Sequence, residues 1–158
     1  MGAKIIHKSY NQNDNLLFPP SLGELIPENH PVRTVSAIID RLDISDIEST
    51  YKGGGTSSFH PRMLLKVIVY SYMCNVYSGR RMERLLHENV NYMWISGMSR
   101  PDFRTINRFR SERLCDGRFE ELFRQTVIMM NEEGVVSLKV QYIDGTKIES
   151  VANKYTFV

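Results

Sequence analysis

Apolar residues recur at helical spacing along most of the chain. Val32, Val35, Ile38, Ile39 and Leu42 predict a helix over 31–42. Pro31 suits its first turn, where a missing N–H costs nothing. A short helix is expected near Ser45–Tyr51. Pro61 opens the next helix, which runs to about Val76. Eleven of its 16 residues are apolar and spread around the whole circumference, the mark of a helix at the centre of a bundle. Leu65, Ile68 and Met73 are therefore expected inside, Cys74 is read as a small buried hydrophobe, and Tyr70, Tyr72 and Tyr77 are read as core and rim. Ser78 and Gly79 break the pattern.

Residues 80–89 restart it, with Met82, Leu85 and Leu86 inward and Arg80, Arg81 and Arg84 outward. A short apolar piece, Tyr92–Ile95, ends at Gly97, with Trp94 as a core anchor. Ser99 to Asp102 reads S-x-x-D, a capping-box-like start for a helix over Asp102–Leu114. Its packing side is Phe103, Ile106, Phe109 or Arg110, and Leu114. Asp116 is expected to cap a last helix, to about Glu133, with Phe119, Leu122, Phe123, Val127 and Met130 on one side; Gly134 ends it. The period then changes. Residues 139–145 read as a strand, and a second strand starts at 155–158. The pattern predicts a mainly α chain of five or six helices, followed by the beginning of a β-rich unit.

Residues 1–30 show little periodicity, with breakers at Pro19-Pro20 and Pro27, and read as an irregular arm. The stretch Lys52-Gly53-Gly54-Gly55 places its lysine before the glycines, so a flexible turn fits better than a phosphate loop. Hydrophobic residues make up 42% of the 158 and charged residues 24%, ordinary globular values. No apolar run reaches the ~18 residues needed to span a bilayer, so no membrane role is expected. The start, MGAKIIHKSYNQND, lacks the apolar core of a secretory signal. With two cysteines and no disulfide framework, a cytoplasmic setting is expected. The four histidines are dispersed, and His60 before Pro61 reads as a helix-start residue.

Net charge is only +2, yet 10 of the 13 arginines lie between Arg80 and Arg124. They are densest in SRPDFRTINRFRSER, residues 99–113. Arg104 and Arg108 are spaced i,i+4 and share a helical face. Thr105, Asn107 and Arg110 widen it, and Arg100 and Arg113 sit at the ends. Arg bridges guanine or binds phosphate, Asn pairs with adenine, and Thr touches a base edge. A helix near 80–89, a turn at Gly97 and this helix together have helix-turn-helix character. A solvated charged face is the alternative, and spacing does not separate the two. Asp144 stands at the end of the first strand, before Gly145. It reads either as a turn residue or as a ligand for Mg²⁺ or Mn²⁺, which prefer oxygen donors.

Five segments, SLGELIPENHPVRTV, YKGGGTSSFHPRMLLKVIVYSY, YSGRRMERLLHENVNYMWISG, RPDFRTINRFRSERL and YIDGTKIES-ANKYTFV, occur in an order that resembles the N-terminal part of bacterial insertion-sequence transposases of the DDE class, those with the InsH-type N-terminal domain. The resemblance implies a helical DNA-binding domain over 1–134 and, over 135–158, the first one or two strands of an incomplete RNase H-like α/β domain. It implies double-stranded DNA, the transposon terminal inverted repeats, as partner. It gives Asp144 the role of first catalytic acid and metal ligand, with Mg²⁺ or Mn²⁺ acting in the full-length parent. The sequence stops 14 residues after Asp144, short of the family's other two acids. The expectation is an N-terminal transposase fragment, inactive alone and binding no metal tightly. The alternatives are a truncated regulator acting as a homodimer or with full-length transposase, and a helical interaction domain with no nucleic-acid role.

Overall fold

A computed structural model describes residues 19–51 and 58–135. Residues 1–18 of the arm expected over 1–30, the glycine turn over 52–57, both strands and Asp144 lie outside the described residues. Within them the chain is helical: α1 (Pro31–Arg41), α2 (Ser45–Glu48), α3 (Pro61–Met73), α4 (Gly79–Glu88), α5 (Val90–Ile95), α6 (Phe103–Arg108), a π-helical turn (Phe109–Arg113) and α7 (Arg118–Glu132).

Two histidine–proline pairs start α1 and α3. His30 Nδ1 accepts from the Val32 N–H (3.2 Å), and His60 Nδ1 accepts from the Arg62 N–H (3.1 Å). Each ring thus satisfies a donor that a helix start leaves free, as expected for His60. The helix α3 is the hub, packed against α1, α4 and α5. Leu64, Leu65, Val67, Ile68, Tyr70 and Ser71 are buried, with Arg62, Lys66 and Val69 on the partly open side. The buried Ser71 hydroxyl donates back to Val67 O (2.7 Å). Met82 and Leu86 of α4, Ile95 of α5 and Ile106 of α6 complete the core.

The centre of α3 is as expected, but its end is not. The helix stops at Met73, three residues early. Asn75 adopts a left-handed φ of 56°. The Asn75 N–H then donates to Tyr72 O and the Val76 N–H to Ser71 O (2.8 Å), a Schellman closure with asparagine where glycine is usual. This turn tips the last residues outward. Met73 is 48% exposed and Cys74 is exposed, against the expectation that both are buried, whereas Val76 folds back into the core. Gly97 and Gly134 end α5 and α7 through the same pair of bonds, as their sequence positions predict.

Two helix starts also differ from expectation. Ser99 does not cap α6. Pro101 holds the chain extended, and Asp102 is the cap, its carboxylate accepting from the Thr105 N–H (2.7 Å). Asp116 does not cap α7. It takes φ 56°, its carboxylate receives the Cys115 thiol and an Arg118 N–H, and Gly117 occupies the cap position.

The helix α7 leaves much of its apolar side uncovered. Only Leu122 is buried, while Phe119 and Phe123 are 49% and 64% exposed. They border an open apolar groove of about 230 Å³ shared with Val35, Ile38 and Leu42. Polar contacts hold α7 against the end of α1: Arg41 pairs with Glu133, and Gln125 Oε1 accepts from the Asp43 N–H (2.9 Å).

Candidate nucleic-acid interface

The helices α4 and α6 pack side by side, with α5 and the Gly97 turn between them in sequence. Their outer faces form one basic surface. Arg80 of α4 and Arg104 of α6 both approach the ring of Phe103, at 5.1 Å and 5.7 Å from its centroid. Such cation–π contacts fix guanidinium direction without neutralising charge. Arg80, Arg81, Arg100, Arg104 and Arg108 are exposed and make no salt bridge among the described residues. Arg84 pairs with Glu88 at 3.6 Å across one exposed turn, a weak contact.

The seven residues singled out from the 99–113 pattern divide by where their polar atoms point. Arg100, Arg104 and Arg108 face solvent, and Thr105 is half-buried beside Arg108. The other three turn into the protein. Arg110 donates to Tyr72 Oη (3.1 Å), to Tyr77 O (3.0 Å) and to Asn107 Oδ1 (3.2 Å). Asn107 is thereby held against Gly79, at the start of α4. Arg113 donates to Thr50 O (2.6 Å) and lies over the Tyr51 ring at 4.8 Å. Spacing leaves either Phe109 or Arg110 on the packing side. Phe109 is the buried residue, while Arg110 reaches inward at the margin.

Asp102 joins helix start and basic face. Hydrogen bonds from Thr105 hold its carboxyl below its ordinary value, and Arg104 and Arg108 add to the pull. Burial raises the Tyr51 phenol, against the opposing pull of Arg113 and Arg108.

Arg33 and Arg62, both outside the arginine-dense stretch, organise the fold. Arg33 donates to the carbonyls of Gly23 (2.6 Å), Ile26 and Pro27, with its guanidinium 5.2 Å from the half-buried Trp94 ring. Arg62 Nη1 reaches the carbonyls of Ile39 (2.5 Å), Asp40 and Leu42, closing the end of α1. The one legible signal was position: each arginine follows a His-Pro helix start by one or two residues.

Among the described residues no group of three His, Cys, Asp or Glu side chains converges as a metal site, and no helix is long and apolar enough to cross a membrane. The described residues thus define a helical module with a basic face. The chain belongs to the transposase domain family (DUF772), whose model matches residues 20–112, more than half its length. Comparison with curated proteins and with solved structures gives no match. The family match supports the insertion-sequence transposase resemblance and a transposase-related role.

Proposed function

We propose that this chain is the N-terminal, DNA-binding part of a DDE transposase, and that the joined face of α4 and α6 grips duplex DNA at the transposon ends. The observation that carries this is the pair of arginines on Phe103. It links two helices into one surface on which Arg80, Arg81, Arg100, Arg104 and Arg108 have no carboxylate partners among the described residues. Unneutralised arginines are what phosphate contacts require. Arg100, Arg104 and Arg108 touch DNA, with Thr105 at the edge. Asn107, Arg110 and Arg113 set the position of α6. In the helix-turn-helix reading, α6 is the recognition helix and α4 its support.

Catalysis belongs to the full-length parent. There Asp144 would be one acid of a site for Mg²⁺ or Mn²⁺, and bound metal would supply electrostatic stabilisation for phosphodiester attack. Asp144 alone clamps neither the attacking nor the leaving oxygen, so such a site needs further acids.

The test is a fluorescence-anisotropy titration with terminal inverted-repeat duplex. The Arg104→Ala, Arg108→Ala double variant should bind more weakly, by on the order of 1–3 kcal/mol for each base it no longer reads. Its salt dependence should flatten by about 0.9 in log–log slope for each phosphate it no longer neutralises. Unchanged affinity in a variant with an intact circular dichroism spectrum would remove the assignment.

A further inference from the structure

A cleft of about 280 Å³ opens where the segments flanking α2 and α3 meet α6 and the π turn. Tyr51, Ser58, Phe59, Thr105, Arg108 and Arg113 line it. The π turn explains why both arginines face the same space. Residues five apart on an α-helix of 3.6 residues per turn stand about 140° apart, so Arg108 and Arg113 would diverge. The wider i→i+5 winding of Phe109–Arg113 brings them together. Such turns cost hydrogen-bond regularity and are frequent at functional sites.

The two cations differ in freedom. Arg113 is anchored on Thr50 O and the Tyr51 ring. Arg108 is exposed and has no hydrogen-bond or carboxylate partner among the described residues. Beside them stand the Ser58 and Thr105 hydroxyls and the ring of Phe59, which is more than a third exposed. A phosphate alone would engage the cations and leave the aromatic wall wet. A base alone would cover the aromatics and leave Arg108 unneutralised. A nucleotide does both: its phosphate meets a guanidinium, and its base stacks on an aromatic face regardless of sequence.

We propose that this cleft seats one unpaired nucleotide of a DNA strand, with its base against Phe59 and its phosphate on Arg108. The occupant is unpaired because a base inside a duplex has no free face to offer. The proposal rests on the DNA-binding reading and extends it from the duplex face to a strand end or an extruded base.

The first arm of the test is a ¹H–¹⁵N NMR titration of the full chain with deoxyadenosine monophosphate, alongside inorganic phosphate and deoxyadenosine separately. The nucleotide should bind at least fivefold more tightly than either part, with shifts concentrated at Tyr51, Thr105 and Arg108. Phe59→Ala should weaken it at least fivefold. In the second arm, a duplex carrying one unpaired terminal nucleotide should bind more tightly than the fully paired duplex. Phe59→Ala should erase that preference while keeping affinity for the paired form. Equal binding of phosphate and nucleotide would overturn the proposal by reducing the cleft to an anion site, and so would an unchanged Phe59→Ala variant. If the paired duplex fails to bind while the nucleotide still shifts the cleft, the duplex reading falls and the nucleotide site stands.

Discussion

Gly79 and Asn107 meet so closely that a Cβ at position 79 would lie 2.6 Å from Asn107 Oδ1. This approach sets how near α4 and α6 come, and therefore how their arginines align. Asn107 cannot simply swing aside, because Arg110 donates to the same oxygen and is itself held by Tyr72 and Tyr77. Gly79→Ala should therefore destabilise the fold, by about 1–3 kcal/mol as in other overpacked sites. Replacing Asn107 by Ala frees the space, so Gly79→Ala in that background should cost little. A urea double-mutant cycle measures the coupling; additive effects would show that the two helices separate freely.

The same network separates two neighbouring arginines. Arg110→Ala removes three hydrogen bonds, two of them part-buried, and should lower stability by about 2–3 kcal/mol, within the range for charged donors. Arg108→Ala removes none and should leave the urea midpoint unchanged while weakening DNA binding. If Arg108→Ala is the destabilising variant, the division between contacting and positioning arginines is reversed.

Arg62 gives a stability test away from the basic face. Its Nη1 serves three carbonyls at the end of α1. Those oxygens are left without a shared charged donor in Arg62→Ala, an expected cost of about 2–3 kcal/mol. Arg62→Lys should recover only part of it, because a lysine ammonium lacks the planar fork. Equal midpoints for Ala and Lys in denaturant unfolding would show that packing of the stem, not the donor, matters.

Helix boundaries marked by proline or glycine were legible in the sequence: Pro31, Pro61, Gly97 and Gly134 all stand where the backbone turns. The end of α3 was not, because an all-round apolar helix has no phase, and asparagine adopts the left-handed turn only occasionally. The π turn was invisible for another reason: no residue type demands i→i+5 winding. The arginine-rich stretch was legible as a basic segment. Which guanidinium reaches solvent depends on carbonyls that tertiary packing supplies, such as Tyr77 O for Arg110 and Thr50 O for Arg113. Spacing singled out Arg104 and Arg108, but only the fold separates Arg110 and Arg113 from the solvent-facing arginines.

Asp102 predicts an acid response at α6. Its carboxyl titrates below its ordinary value when folded, mainly through Thr105. A lowered carboxylate contributes stability above its unfolded pKa of about 3.9, and that contribution is lost as pH falls through the lower folded value. The Thr105 amide resonance should therefore move with a midpoint below about 3.9, the ordinary Asp pKa. Asp102→Asn keeps a neutral capping oxygen, so the amide should no longer follow this titration. A midpoint above the ordinary aspartate value would contradict the cap geometry.

The uneven burial of α7 makes the last test. Leu122 is 7% exposed, whereas its neighbour Phe123 is 64% exposed although the spacing puts both on one apolar side. Burial, not hydrophobicity, sets the penalty for truncating a side chain. Leu122→Ala should cost about 2 kcal/mol, the low end for a leucine because the adjoining groove lets neighbours relax. Phe123→Ser should fall within about 0.5 kcal/mol of wild type, as surface changes do. Urea unfolding of the full chain compares them directly. A Phe123→Ser variant as unstable as Leu122→Ala would mean that this ring is covered in solution, and that the open side of α7 is packed.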